Sequence, residues 1–324
     1  MSLNLPRRTL CATALLSLLP LTYADEPRFP SQPIKLVVPY PAGGNADNIA
    51  RIFAKRFSEL LKTPVVVDNK GGASGTLGAD AVYRAAPDGY TLLLTVTSQL
   101  TSAPTGMKTS YNAVQDFTPI VGLCITPLAL AVPAALGVKS LKELVSLSRT
   151  RKMSYGSYGT GTSTHIMQHL LVKQFGAKDV AHVPYRGESP MLTDMLGGQI
   201  DMGLIAMGQA QEMTKSGRMN VLALVGTQRS EFLPDVATFA EQGYKNLDWS
   251  YGVAVYGSSR LPAAVLKKLQ EVGKNTINDA EVQKAYRAQS NQPWTTTNPE
   301  DLRRRLVSDS ENWAKVLSDV GNLE

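Results

Sequence analysis

Apolar positions along the chain alternate between short unbroken runs and stripes at three- and four-residue steps, the signatures of buried strands and of helices packed on one face. Ile34 to Val38 is a run and predicts a strand. Ile49, Ile52, Phe53, Leu60 and Leu61 follow as a helical stripe, and Val65 to Val67 predicts the next strand. Asn69 to Gly78 reads as a glycine-rich turn into a second helix, and Thr91 to Val96 as a third strand. Further along, Met167, Leu170, Leu171 and Phe175 repeat the helical spacing. Ser189-Pro190 reads as an N-cap followed by proline at the first helical position, backed by Met191, Leu192, Met195 and Leu196. Gly197-Gly198 ends that helix, and Ile200 to Ile205 resumes as a strand. Such alternation predicts an α/β protein of mostly parallel sheets flanked by helices. The apolar segments Val121 to Val132 and Trp249 to Val255 enclose the central elements, so they are the expected crossings between two lobes. Residues 25–125 with 254–324 would form the first lobe and 126–253 the second. A last helix, Pro299 to Val320, is expected to return to the first lobe.

Two junctions in this pattern carry chemistry. Val37-Val38-Pro39-Tyr40-Pro41-Ala42-Gly43-Gly44-Asn45-Ala46-Asp47 runs from an apolar strand through a small-residue loop straight into a helix. The first N–H groups of a helix lack internal partners and carry partial positive charge, so such a junction suits an anion. Met153-Ser154-Tyr155-Gly156-Ser157-Tyr158-Gly159-Thr160-Gly161-Thr162-Ser163-Thr164-His165 repeats the construction in the other half of the chain. Two lobes facing one anionic ligand is the expected arrangement.

Composition narrows the setting. Arg7 and Arg8, the apolar stretch Leu10 to Leu21 and the small residues of Thr22-Tyr23-Ala24 form a signal peptide, 1–24, with cleavage after Ala24 and export to the periplasm expected. A dozen apolar residues are too few to span a bilayer. Cys11 lies at the start of the apolar stretch, which argues against lipoprotein processing. The mature chain keeps only Cys124, so no internal disulfide is expected. The formal charge of +6 falls to +4 without Arg7 and Arg8, and no basic run interleaved with aromatics points to nucleic acid.

Several segments then follow in one order: Pro39-Tyr40-Pro41-Ala42-Gly43-Gly44 with Asp47 and Ala50-Arg51, Val66-Val67-Asp68-Asn69-Lys70, Ala86-Pro87-Asp88-Gly89-Tyr90-Thr91-Leu92, Tyr155-Gly156-Ser157 through His165, His182-Val183-Pro184-Tyr185-Arg186-Gly187, Leu196-Gly197-Gly198-Gln199-Ile200-Asp201 and Leu233-Pro234-Asp235-Val236. From about residue 30 to the C-terminus this resembles the tripartite tricarboxylate transporter substrate-binding proteins, also called Bordetella uptake gene (Bug) proteins. Departures are Asn45 where the family often has Ser, Thr or Pro, Gly71 in place of a frequent Pro, and Thr162 in place of a frequent Ser. The resemblance implies a type II-like two-lobed periplasmic binding protein with its cleft between the lobes. It would be a non-catalytic receptor, monomeric and without cofactor or metal, that closes on a small carboxylated solute. The implied partners are the large and small integral membrane subunits of a tripartite tricarboxylate-type transporter. Carried onto this chain, the first-lobe contacts are Tyr40, Ala42, Gly43, Gly44, Asn45 and Asp47, and those of the second lobe are Ser157, Gly159, Thr160, Gly161, Thr162 and His165. Thr97 and Ser98 would line the cleft from a third direction, and Gly203 to Ile205 from a fourth.

Plainer readings stand beside these. Asp47 either complements the helix terminus and pairs with Arg51, or faces the cleft to hold water or a ligand cation. His165 can be an ordinary helix residue, and His182 and Tyr185 can simply fix strand geometry. His165 and His169 have i, i+4 spacing, but no third ligand follows at motif distance. Gly161-Thr162-Ser163-Thr164-His165 nearly matches a nucleophile elbow, which leaves a secreted Ser163-dependent hydrolase as the alternative. The expected chamber walls, Thr97 to Thr101 and Met202 to Gly208, contain no Lys or Arg. That composition suits a mono- or dicarboxylate with an apolar or aromatic middle better than a tricarboxylate.

Overall fold

The computed structural model describes residues 29–320 apart from Lys178, Asp248, Ser250, Thr296 and Thr297. The segment read as a signal peptide, 1–24, lies outside the described residues. Two sheets carry the fold. The chain opens with β1 (Ile34–Val38), α1 (Asn45–Leu61), β2 (Val65–Asn69), α2 (Thr76–Tyr83), β3 (Thr91–Val96), α3 (Thr97–Gly106) and β4 (Phe117–Ile125). Past Thr126-Pro127 it builds the second sheet and its helices: β5 (Leu128–Pro133), α4 (Leu141–Ser148), β6 (Met153–Ser157), α5 (Ser163–Phe175), β7 (Val180–Pro184), α6 (Glu188–Leu196), β8 (Met202–Ala206), α7 (Met207–Lys215) and β9 (Met219–Leu224). It then re-enters the first sheet at β10 (Gly252–Ser258) and finishes with α8 (Ala263–Ile277), α9 (Ala280–Ala288), β11 (Gln292–Pro293) and α10 (Pro299–Val320).

Strand order is β2-β1-β3-β10-β4-β11 in the first sheet and β7-β6-β8-β5-β9 in the second. The α/β class is as expected, but both sheets are mixed rather than mostly parallel. β1 is parallel to β2 and β3, and β6 to β7 and β8, whereas β10 runs antiparallel to β3 and β4, and β5 to β8 and β9. Connectivity explains the difference. A strand reached through a helical crossover returns to its sheet in the same direction, while β5 and β10 arrive from the other sheet without a helical crossover and start at the cleft end.

Alternation along the strands places a core on each face of the first sheet. Leu36, Val38, Leu92, Leu94, Val253 and Val255 face the cluster that includes Ile49, Phe53 and Phe57 of α1. Val37, Leu93, Ala254 and Tyr256 face the opposite cluster, with Val82 of α2 and Leu302 and Leu306 of α10. The terminal helix thus covers the first sheet, packing on α3 and β4. Its Trp313 meets Trp249 edge-on, with ring centroids 4.2 Å apart. Cys124 is buried and unpaired. Among the described residues no helix is long and apolar enough to cross a membrane.

Two boundaries differ from the sequence reading. α6 begins at Glu188 rather than after a Ser189 cap, because Gly187 at φ 136° makes the turn into the helix in a region that glycine alone enters easily. β8 begins at Met202, two residues beyond Ile200.

Candidate functional site

All crossover strands end at the cleft, so the helices that follow them start there. This is the general location of ligand sites in open α/β sheets. One cavity collects these ends: Gly44 and Asn45 at the start of α1, Val96 ahead of α3, Glu188 and Ser189 at the start of α6, and Ala206 ahead of α7. Tyr40, Tyr158 and Tyr251 complete much of its wall, and none of the described lining residues is Lys, Arg or His. The cavity is narrow, about 30 Å³, room for roughly two waters at 10–15 Å³ each. A larger solute must part the two halves to enter.

On the first-sheet side the glycine loop is held from below by Asp47. Its Oδ2 accepts from Gly43 N–H at 3.0 Å and Arg51 Nε at 2.9 Å, and its Oδ1 accepts from Asn69 Nδ2 at 3.0 Å. Burial works to raise the Asp47 pKa, but the bonds from Arg51, Gly43 and Asn69 outweigh it and hold the carboxyl below its usual range. Asp47 therefore takes the first of its two sequence readings and faces the loop. Tyr40 is locked into the same structure: its hydroxyl donates to Gln99 Oε1 at 3.0 Å and lies 3.1 Å from Thr95 Oγ1. Burial pushes that phenol up to about 12. Asn45 reaches instead toward the crossing. Its Nδ2 donates to Thr126 Oγ1 at 3.2 Å and Asn291 Oδ1 at 3.3 Å, while its Oδ1 accepts from Asn291 Nδ2 at 3.1 Å. Thr126 closes the triangle with a 2.7 Å bond to Asn291.

The second loop is folded in on itself. Thr162 is the N-cap of α5, accepting from His165 N–H at 3.3 Å and donating to the Gly159 carbonyl at 2.7 Å. Gly161 N–H donates to His165 Nδ1 at 3.1 Å, so the buried Nε2 carries the ring proton, and that atom has no partner. The His165 ring stacks on His182 at 3.6 Å and 8°. His182 in turn lies 2.7 Å from Ser157 Oγ and stacks on Tyr155. Burial, and then the neighbouring His182 and His169, push His165 down to about 3; burial and His169 push His182 down to about 4. Both rings are neutral near pH 7. Because Thr162 spends its hydroxyl on the cap, Thr162→Ala should cost about 1–2 kcal/mol of stability, with Thr162→Ser close to wild type. Equal urea midpoints for wild type and Thr162→Ala would contradict this role.

The two halves touch at named points. Ser98 Oγ donates to Ser163 Oγ at 3.3 Å, joining the starts of α3 and α5, and Ser74 Oγ donates to the Thr160 carbonyl at 2.7 Å. A methyl group on Gly159 would stand 2.6 Å from Ser74 Oγ. The first glycine loop meets a different partner, the start of α6. A methyl on Gly187 would lie 2.9 Å from Pro41 Cδ, and one on Gly44 would lie 3.4 Å from Ser189 Oγ.

Of the sequence-selected residues, Tyr40, Gly44 and Asn45 line the cavity directly. Ala42, Gly43 and Thr160 are exposed at its margins, and Thr97 is buried with its hydroxyl unpartnered. Gly203 faces away, since a methyl there would meet Met195 Sδ at 2.8 Å, and Ile205 is fully buried. Ala206 falls in the expected Met202 to Gly208 wall, whereas Thr126, Tyr158, Glu188, Ser189 and Tyr251 are lining residues that were not anticipated. Glu188 left a readable signal, an acidic residue directly after the glycine of Arg186-Gly187 and so in the first turn of a helix. Its Oε1 accepts from Tyr158 OH at 3.2 Å and Ala206 N–H at 2.6 Å, and its Oε2 reaches Asn45 N–H across the cleft at 3.5 Å. Among the described residues no cluster of side chains has the makings of a metal site.

The model of the tripartite tricarboxylate transporter family receptor matches residues 49–322. Protein BugT of Bordetella pertussis is 30% identical, over 90% of this chain and 90% of its own length. The structure of the periplasmic binding protein BugD is 30% identical with a TM-score of 0.85, covering 90% of this chain and 99% of that one. Rpa4515 of R. palustris, solved with adipate, is 26% identical with a TM-score of 0.84, covering 90% and 98%.

Proposed function

Since the chain belongs to the tripartite tricarboxylate transporter receptor family, we propose that it is a periplasmic receptor that captures a small carboxylated solute between its lobes and hands it to the large and small integral membrane subunits of a tripartite transporter. The lobes would be 25–125 with 254–324 and 126–253. One observation carries this reading: helix N-termini from both sheets meet at a cavity whose described lining holds no basic side chain. Amides and hydroxyls can satisfy a carboxylate there without burying a fixed cation, and the helix dipoles add favourable potential. Proposed contacts are Tyr40, Gly44 and Asn45 of the first loop with the exposed Ala42, Gly43 and Thr160 at the margins, joined by Tyr158, Ser189 and Tyr251. The similar R. palustris Rpa4515, solved with adipate, supports the ligand class.

A hydrolase reading has no comparable support. Ser163 Oγ meets Ser98, and His165 is turned to Gly161 N–H, so that serine has no imidazole base within bonding distance.

A thermal-shift panel of purified mature protein against aliphatic diacids, aromatic acids, amino acids and citrate tests the reading. A solute held only by the folded state, at about 100 times its Kd, stabilises by about 2.7 kcal/mol, enough to raise Tm by several degrees. No shift with any carboxylate would overturn it. Because the cavity must open to load, small-angle scattering should also show compaction when a binding acid is added to an open sample. An open sample that stays open with saturating acid would remove the hinge.

A further inference from the structure

Glu188 is the one acidic side chain among the described residues lining the cleft cavity, and it is only 9% exposed. Its three hydrogen-bond partners, Tyr158 OH, Ala206 N–H and Asn45 N–H, are all neutral, and no ion pair involving it occurs among the described residues. A buried carboxylate is normally paired with a cation or neutralised by a proton. Here the cations nearest in sequence are directed elsewhere. Arg186, two residues earlier, is exposed, and Arg51 on the facing helix is spent on Asp47. No cation of the described protein answers this carboxyl in the wall of the solute cavity, across which its Oε2 points at the start of α1.

Resting on the carboxylate-receptor reading, we infer that Glu188 is a specificity-determining residue that selects a carboxylate solute bearing a cationic nitrogen, an ammonium group above all. The solute's nitrogen supplies the missing positive charge, while its carboxylate takes amide and hydroxyl donors of the helix starts. A charge-assisted N–H to carboxylate bond in a site shielded from water is stronger than a neutral one. The rings of Tyr40, Tyr158 and Tyr251 around the same cavity give an ammonium group a favourable aromatic setting. A plain diacid meets the opposite situation, because its second carboxylate faces a carboxylate with no cation between them. Burial outweighs the bonds from Ala206, Asn45 and Tyr158 and holds the Glu188 pKa above the usual carboxylate range, so a cationic partner in the cavity is what would favour its ionised form. No Lys, Arg or His from the described lining of α1, α6 or the starts of α3 and α7 faces it.

The test pairs acids that differ only by an amino group: butyrate with 4-aminobutyrate, glutarate with glutamate, and adipate with 2-aminoadipate, each titrated calorimetrically at pH 7. In the wild type the amino member of at least one pair should bind tenfold or more tightly than its partner. Glu188→Gln, which keeps shape and removes charge, should erase or reverse that preference, and Glu188→Ser should do the same if the Gln variant folds poorly. Acids that bind as tightly as their amino partners, or a preference that survives both substitutions, overturn the inference while leaving the receptor reading standing. If no member of either series binds, and the wider acid panel gives no shift, the receptor reading falls and this inference with it.

Discussion

Acidification from pH 7 to 4.5 should cost the protein about 3 to 5 kcal/mol of stability through two histidines. The chain has three, and all three lie together: His165 on His182 at 3.6 Å, and His169 edge-on to His165 at 6.4 Å. Such a stack tolerates neutral rings only. Burial comes first among the causes that push His165 to about 3 and His182 to about 4, against 6.5 for an exposed ring. Between those values the unfolded chain binds protons that the native state refuses, so stability falls as pH falls. The contribution is complete above about pH 6.5 and is lost progressively down to pH 3–4, at about 1.4 kcal/mol per pH unit for each fully buried ring. His182 is less buried than His165, so the lower end of the range allows for its solvent screening. Glu188 and Asp309, both raised by burial, act in the opposite sense at the acid end and offset part of the loss. Urea midpoints measured from pH 7 to 4.5 check the trend, and His182→Phe should flatten it by about half. A midpoint independent of pH would contradict the neutral stack.

Local pattern was sufficient for the elements that stand alone. Ile34–Val38, Thr91–Val96 and Pro299–Val320 fall where periodicity placed them, because each is a long or unbroken apolar signal with a loop or proline at its end. The directions of β5 and β10 were not legible in the same way. They depend on the chain changing sheets without a helical crossover, at Thr126-Pro127 and between Leu224 and Gly252, which no run of residues announces. The site divides along the same line. Gly43 and Gly44 before α1 state their role in sequence, since a strand, a glycine turn and a helix start are consecutive. Glu188 and Asn291 do not, for their meaning comes from partners far away: Asn45 lies 143 residues from Glu188 and 246 from Asn291. The Ser157–His165 loop shows a third case. Its hydroxyls look like ligand donors when written out, yet Thr162 is spent on the helix cap and Ser157 on His182 and Gly159.

Asp47→Ala should be the most damaging single change in the first loop, costing about 2 to 4 kcal/mol of stability and more than tenfold in solute binding. The carboxylate accepts three bonds from three directions, so its loss takes away the acceptor that fixes Gly43 N–H and leaves the Asn69 amide to the Tyr40 carbonyl alone. Gly43 holds φ +82°, and its bond to Asp47 fixes that left-handed turn ahead of α1. With the turn released, the helix start that faces the solute has no fixed aim. Asp47→Asn should be intermediate, because one of its two terminal atoms becomes a donor and must face either the Gly43 amide with Arg51 or the Asn69 side chain. Arg51→Met should be mild, within about 1 kcal/mol, since Arg51 is half exposed and an exposed partner contributes little. The ordering separates two explanations of the same buried acid. If Arg51→Met proves as harmful as Asp47→Ala in urea melts and calorimetry, the ion pair holds the loop. If the graded order appears, the acid acts through the backbone and amide bonds that shape the anion-facing turn.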